Sequence, residues 1–210
     1  PISITLALPS GIISACKQDS AIDGTVSGLG FAFMSIPNFV LALVLIYVFA
    51  LKFKWLPATG YVPLSEGIIG NLRCFVLPSL SIALVEWVPL MRVLRNDMIG
   101  VLREDYILLA RAKGLPTGRI LLKHALRPSS FTLVTLLGLQ VGHLIGGALI
   151  VETVFALPGI GRLLVGAIFG RDYQLVQACI LLITMGYVTI NFVVDMIYPF
   201  LDPRLRTAGI

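Results

Sequence analysis

Residues Thr25 to Leu51 read TVSGLGFAFMSIPNFVLALVLIYVFAL, 27 consecutive positions without a charged side chain. A helix of about 20 apolar residues crosses the roughly 30 Å hydrocarbon layer of a bilayer, so this run is long enough to span. Lipid offers no partner to a backbone N–H or C=O, which leaves helices and closed barrels as spanning structures. The run has none of the period-2 alternation of a barrel strand. Working outward, Phe75 to Met91, Phe131 to Val151 and Tyr173 to Leu201 read as further spans, the first holding Glu86 and the last interrupted by Asp195. Pro1 to Cys16 is a shorter apolar window at the start. With 57% hydrophobic residues, 13% charged residues and a mean hydropathy of +0.94, the chain carries more apolar surface than one soluble core hides. The expected fold is all-α, a single transmembrane domain over 1–210 with about five membrane helices.

Charge gives this bundle an orientation. The connection from Arg92 to Ser130 holds Arg92, Arg95, Arg103, Arg111, Lys113, Arg119, Lys123 and Arg127, half of the 16 Lys and Arg in the chain. Basic residues are retained on the cytoplasmic side, so this connection is expected inside. Alternation then puts Lys17 to Gly24 and the C-terminal Arg204 and Arg206 inside. Lys52 to Cys74 and Glu152 to Asp172 fall outside. Trp55, Tyr61 and Tyr173 fall near the expected outer boundaries, where amphipathic rings are favoured. The formal net charge of +5 therefore reads as membrane topology, and no nucleic-acid partner is expected.

Cys16, Cys74 and Cys179 lie far apart with no metal-ligand spacing and read as small apolar side chains. No GxxxxGK[ST] sequence is present, and Gly159-Ile-Gly161-Arg162 follows no strand, so no phosphate cradle is available. The two histidines, His124 in the basic connection and His143 in a membrane span, build no nucleophilic triad. The chain reads as a non-enzyme that binds no cofactor. Gly138, Gly142 and Gly146 recur at four-residue spacing, as do Gly24, Gly28 and Ala32. Such stripes let helix backbones approach closely, either within the bundle or against a second membrane subunit.

The connection over 92–130 is too long for a plain turn and has helical character. Tyr106, Ile107, Leu109, Ala110 and Leu115 give an apolar side; Arg103, Glu104, Arg111 and Lys113 are polar. Gly114 supplies a stop, and Pro116 suits the first turn of a restarting helix. Glu104-Asp-Tyr-Ile-Leu-Leu-Ala-Arg-Ala-Lys-Gly-Leu-Pro, followed by His124-Ala-Leu-Arg, resembles the EAA loop of binding-protein-dependent ABC transporter permeases, in the branch that imports peptides and nickel. Gly146-Gly-Ala-Leu-Ile-Val-Glu-Thr-Val-Phe-Ala-Leu-Pro-Gly-Ile-Gly-Arg, Arg171-Asp-Tyr and Leu201-Asp-Pro-Arg-Leu-Arg extend the resemblance over nearly the whole chain from about Pro9. Two departures stand out. The general pattern has Glu and Ala where this chain has Leu108 and Leu109, and the branch's Asn after His-Ala-Leu-Arg is Pro128. The chain starts at Pro1, which reads as an incomplete N-terminus, without the first helix and long external segment such permeases carry.

The resemblance implies a multi-pass protein of the bacterial inner membrane. It would work with a homologous permease subunit, cytoplasmic ATP-binding subunits that carry ATP and Mg, an extracytoplasmic solute-binding protein, and the surrounding membrane lipid. Glu104, Asp105, Tyr106, Ala110, Arg111, Ala112, Lys113, Gly114 and Leu115 would form a coupling helix docked on the ATPase. Cargo would be a short peptide, nickel or a related small solute. Within the spans, Glu86, Gln140, His143, Asn191 and Asp195 are expensive in lipid unless they face the bundle interior or a water-filled path, which makes them candidates for the translocation path. The alternative is that they brace helix contacts. Glu152 to Asp172, with Phe155, Pro158, Gly159, Gly161, Arg171 and Asp172, is too apolar for a free loop and too broken for a span. It reads as re-entrant or interfacial, and the resemblance places it at the outer mouth. Two rivals remain: a proton-coupled transporter with Glu86, His143 and Asp195 as relay, and a lipid-binding scaffold using the basic connection.

Overall fold

A computed structural model describes residues 2–201, without the side chains of residues 143, 145–147, 195 and 197–201. Within that range the regular structure is helical. The helices are α1 (Ile2–Cys16), α2 (Ala21–Ser35), α3 (Asn38–Leu45), α4 (Ile68–Leu102), α5 (Asp105–Ala112), α6 (Thr117–Arg119), α7 (Leu126–Val154), α8 (Ile160–Phe169) and α9 (Tyr173–Leu201). Helix α3 continues as a π-helical segment, Ile46–Lys52, and a second π-helical segment, Ile120–Ala125, leads into α7.

The 27-residue apolar run is not one straight helix. Pro37 holds φ at −58° and ψ at 141°, its ring disfavours helical geometry in Ile36, and the helix stops at Ser35 and restarts at Asn38. Conversely, α4 extends well past the expected Phe75 to Met91 window and takes in Arg92, Arg95, Asn96 and Asp97, which sequence assigned to a connection. At 35 residues it is about 50 Å long, longer than a hydrocarbon layer is thick. By length and composition Ile68–Leu102 and the Tyr173–Val194 part of α9 can each cross a membrane, and the pair α2 and α3 counts as a third if the broken run is one span.

The chain forms two units. The first comprises Pro1–Ser35, Glu86–Leu139 and the segment from Val194 onward. Its core gathers around the second half of α4, where Trp87, Val88, Leu90, Met91, Leu94 and Met98 are buried with Ala7, Ala15, Ala125 and Leu133. Gly11 of α1 and Gly30 of α2 give α4 its close approach, since a Cβ at either would stand 3.0 Å from Leu94 or 3.1 Å from Val88. The second unit comprises Ile36–Val85 and Gln140–Val193, with Phe155 and Val151 fully buried and Phe49, Phe53 and Trp55 in ring contact.

Candidate functional site

Helix α5 is short, and its sequence sets both ends. Glu104 enters in extended geometry, φ −69° and ψ 148°. At the other end the Gly114 N–H donates to the Arg111 carbonyl at 2.9 Å and the Leu115 N–H to the Ala110 carbonyl at 3.2 Å. That is the paired closure of a Schellman motif, and it needs a left-handed residue at Gly114, whose φ is +75°. A Cβ there would meet nothing within 4 Å, so the glycine is required by backbone angle and not by crowding.

The helix has a seated side and an open side. Ile107 and Ala110 are buried with Ile120, against Val101, Leu102 and Leu115. Tyr106, Leu108, Leu109, Arg111, Ala112 and Lys113 are exposed. The apolar side read from sequence is thus divided. Ile107, Ala110 and Leu115 seat the helix, while Tyr106 and Leu109 join Leu108 on the open side. Leu108 and Leu109 form an exposed apolar pair beside Arg111 on this eight-residue helix. Beside it lies a cavity of about 590 Å³ whose lining includes Asp97 and Glu104 from the end of α4 and the start of α5, and Pro128 and Ser129 from α7.

Tyr106 ties α5 to the next helix. Pro128 has no N–H to give the carbonyl four residues earlier, that of His124. The Tyr106 hydroxyl donates to that same carbonyl, at 3.4 Å. The π-helical turn over Ile120–Ala125 absorbs the mismatch, and Ser129 and Ser130 donate their hydroxyls to the Ala125 and Leu126 carbonyls. The departure at Pro128 thus falls in the first turn of a well-formed α7. Burial, and then the nearby Glu104 carboxylate, push the Tyr106 phenol above its usual range.

A second tie was not visible in sequence. Asp23, at the start of α2 and 5% exposed, receives the Arg95 guanidinium in two bonds, Nε to Oδ1 at 2.8 Å and Nη2 to Oδ2 at 2.5 Å. Ser14 Oγ donates to Oδ1, and the Asp19 N–H donates to Oδ2 at 3.0 Å. A hydroxyl from α1, an N–H from the α1–α2 turn and a bidentate Arg from α4 saturate one carboxylate. Arg103 reaches the same turn through Gln18 at 3.2 Å. The pairing joins residues 72 positions apart, and no local periodicity announces it.

In the second unit the run from Glu152 to Asp172 is an ordered turn with its own helix. Glu152 sits in the last turn of α7, and its Oε2 accepts the N–H groups of Gly161 at 2.8 Å and Arg162 at 3.3 Å. An acid from α7 thereby caps the start of α8. Close approach explains the glycines. A Cβ at Gly161 would stand 2.6 Å from the Leu149 Cα, and one at Gly159 would overlap the Glu152 carboxylate. Arg162 donates from Nη1 to the Ala156 carbonyl at 2.7 Å, Gly60 donates its N–H to the Phe155 carbonyl at 3.0 Å, and Phe155 is buried. Ala156 and Arg171 take left-handed φ of 54° and 55°. Asp172 caps α9 by accepting the Leu175 N–H at 3.0 Å, and Pro158 is exposed.

Glu86 and Gln140 are partly buried, each with an interaction partner. Asn191 of α9 packs on α7, its Oδ1 2.7 Å from where a Cβ of Gly142 would be. Gly138 likewise receives Val194. These two glycines serve helix packing inside the chain, whereas Gly24 and Gly28 have nothing within 4 Å of an added Cβ. The side chains of His143 and Asp195 lie outside the described residues, as does Gly146 beyond its backbone. Among the described residues no group of three or more His, Cys, Asp or Glu side chains is placed to hold a metal ion.

Residues 7–207 match the family described as the binding-protein-dependent transport system inner membrane component. The chain belongs to that family. Its relatives within the family include a probable peptide ABC transporter permease of Sinorhizobium fredii, 36% identical over 98% of this chain and 66% of that protein. A putative peptide transport system permease of Brucella abortus is 38% identical over 98% of this chain and 65% of its own length. The oligopeptide transport permease OppB of Escherichia coli is 37% identical with the same coverage. The chain spans about two thirds of the length of these curated relatives. In structure it matches a chain of the MetNI methionine ABC transporter, solved facing inward, with a TM-score of 0.69 at 20% identity, over 96% of this chain and 88% of that one. The inner membrane component family thus supplies the all-helical membrane fold, and the residues quoted from 104 to 127 and from 146 to 172 lie within the matched range.

Proposed function

We propose that this chain forms one half of the transmembrane pathway of an ATP-driven importer for short peptides, paired with a homologous permease and driven by two cytoplasmic ATPase subunits. A solute-binding protein outside would deliver the cargo. The observation that carries the reading is α5: a helix of eight residues, stopped at Gly114, seated on Ile107 and Ala110, and uncovered at Leu108 and Leu109. Nucleotide-driven movement of the ATPase would push on that open face. The seat, the Tyr106 contact with His124 and the Arg95 bridge to Asp23 would carry the displacement into α7, α4 and the α1–α2 turn as a rigid-body shift, giving alternating access between the two permease halves.

The family description supports a binding-protein-dependent transport system, and the names of the relatives support peptide as its cargo. The uncovered face at Gly24, Gly28 and Ala32 suits contact with the partner permease, since small residues admit a close backbone. ATP and Mg would sit on the ATPase, and this chain would carry no catalytic residue.

Reconstitution tests the proposal. The full complex in proteoliposomes is expected to accumulate a labelled oligopeptide only with ATP. Replacing Ala110 or Gly114 by Glu should abolish both ATPase association and uptake. Uptake that continues without ATP, or that survives loss of the ATPase, would favour the proton-coupled alternative instead.

A further inference from the structure

Helix α8 and the start of α9 border a groove of about 890 Å³ with a distinctive pattern of charge. Along its length the lining includes Gly166, which leaves backbone uncovered, and Leu163 as an apolar wall. Only two of the lining side chains are charged, and their signs are opposite: Arg162 in the first turn of α8 and Asp172 just beyond its end. Both are exposed. No ion pair joins them among the described residues, and each has bonding capacity left. Arg162 gives one of its N–H donors to Ala156, and Asp172 accepts Leu175 at one oxygen. The Glu152 carboxylate, the other acid nearby, is already held by the Gly161 and Arg162 N–H groups.

A ligand complementary to this groove has a negative end, a positive end and a short apolar or neutral body between them. We infer that the groove is a transient entry site for a zwitterionic peptide, whose C-terminal carboxylate meets Arg162 and whose N-terminal ammonium meets Asp172. The spacing gives a length. Helix α8 rises about 10 Å from Arg162 to its end at Phe169 at 1.5 Å per residue, and the turn beyond brings the Asp172 N–H back to the Ala167 carbonyl at 3.0 Å, a span that an extended peptide of about three to four residues covers at roughly 3.5 Å each. A dipeptide reaches one charge or the other and not both. The open, shallow form suits transport, because a site on a pathway has to release what it binds. This inference rests on the peptide-importer reading and adds a location, a polarity and a preferred length to it.

Gly166 provides the probe. An added Cβ there meets nothing within 4 Å, so Gly166→Cys presents a thiol to the groove without crowding the fold. Of the native thiols, Cys74 and Cys179 are buried and Cys16 is exposed, so a Cys16→Ser background with cysteine-free partner chains isolates the signal. The complete complex is reconstituted without nucleotide, and its rate of modification by a membrane-impermeant maleimide is followed. Tetra-alanine is expected to slow modification several-fold, dialanine less, and tetra-alanine with an acetylated N-terminus and amidated C-terminus least. Arg162→Gln and Asp172→Asn should each erase the difference between free and blocked tetra-alanine. Equal protection by free and blocked peptide, no protection by either, or protection only when the binding protein is added would overturn the inference. ATP-driven uptake of tetra-alanine by the complex with native Gly166 separates the two levels. Uptake without specific protection defeats the groove and leaves the importer standing; no uptake defeats the importer, and the entry site with it.

Discussion

At Asp23 a single carboxylate gathers three elements. It is buried, its Oδ atoms face Arg95, Ser14 and the Asp19 N–H, and Arg95 is the one cation in that set. Removing one partner leaves the other charge buried and uncompensated, which costs on the order of 3 kcal/mol or more. Asp23→Ala is therefore expected to lower the unfolding midpoint of the purified complex sharply. Asp23→Asn combined with Arg95→Gln, which removes both charges, should cost less than either single change. Additive costs would show that the two side chains do not act as a pair. Glycine contrasts at the same scale. Gly161→Ala drives a Cβ to 2.6 Å from the Leu149 Cα and should destabilise by about 1–3 kcal/mol. Gly100→Ala, in the last turn of α4 with nothing within 4 Å, should be neutral or stabilising by up to about 1 kcal/mol. Thermal unfolding in detergent measures both.

Among the elements, the junction from α5 into α7 makes a sharper prediction. If Tyr106 serves the carbonyl that Pro128 leaves without an N–H donor, then Tyr106→Phe should cost roughly 0.5–1 kcal/mol, toward the low end given a 3.4 Å contact. In a Pro128→Ala background, where the backbone N–H returns, the cost should vanish. Sequence carried much of this element. The stop at Gly114, the restart at Pro116 and the polar flanks were legible because a left-handed glycine and an N-terminal proline have local causes. What was not legible was which apolar residues face inward, since Tyr106 and Leu109 fit an apolar side as well as Ile107 does until a neighbour is known to cover one of them. The break at Pro37 was there to read, yet the unbroken hydropathy of Thr25 to Leu51 outweighed it. Length and composition register the cost of crossing lipid and say nothing of direction. Glu152 was singled out, but its role as a cap for α8 depends on a bond nine residues away that only the turned chain creates.

For the whole molecule, orientation is the deciding property. Eight of the 16 basic residues lie between 92 and 127, and under the positive-inside rule this is the ground for proposing α5 on the cytoplasmic face. The apolar spans, the basic connection and the motif order were sufficient to read an all-helical permease fold, because each depends on composition or short spacing. The Asp23–Arg95 tie joins residues 72 positions apart and needed the folded chain; the α8 groove is local, lined from Pro158 to Leu175, but its shape depends on the turns at either end of α8. The central claim is that the open face of α5 receives an ATPase. Its most direct measurement is the labelling of Leu109→Cys by a membrane-impermeant maleimide, in a Cys16→Ser background, in vesicles of each orientation with and without the ATPase subunits. Labelling is expected only in inside-out vesicles, and it should fall away when the ATPase is bound. Modification from the outer face, or a rate unchanged by the ATPase, would contradict the account.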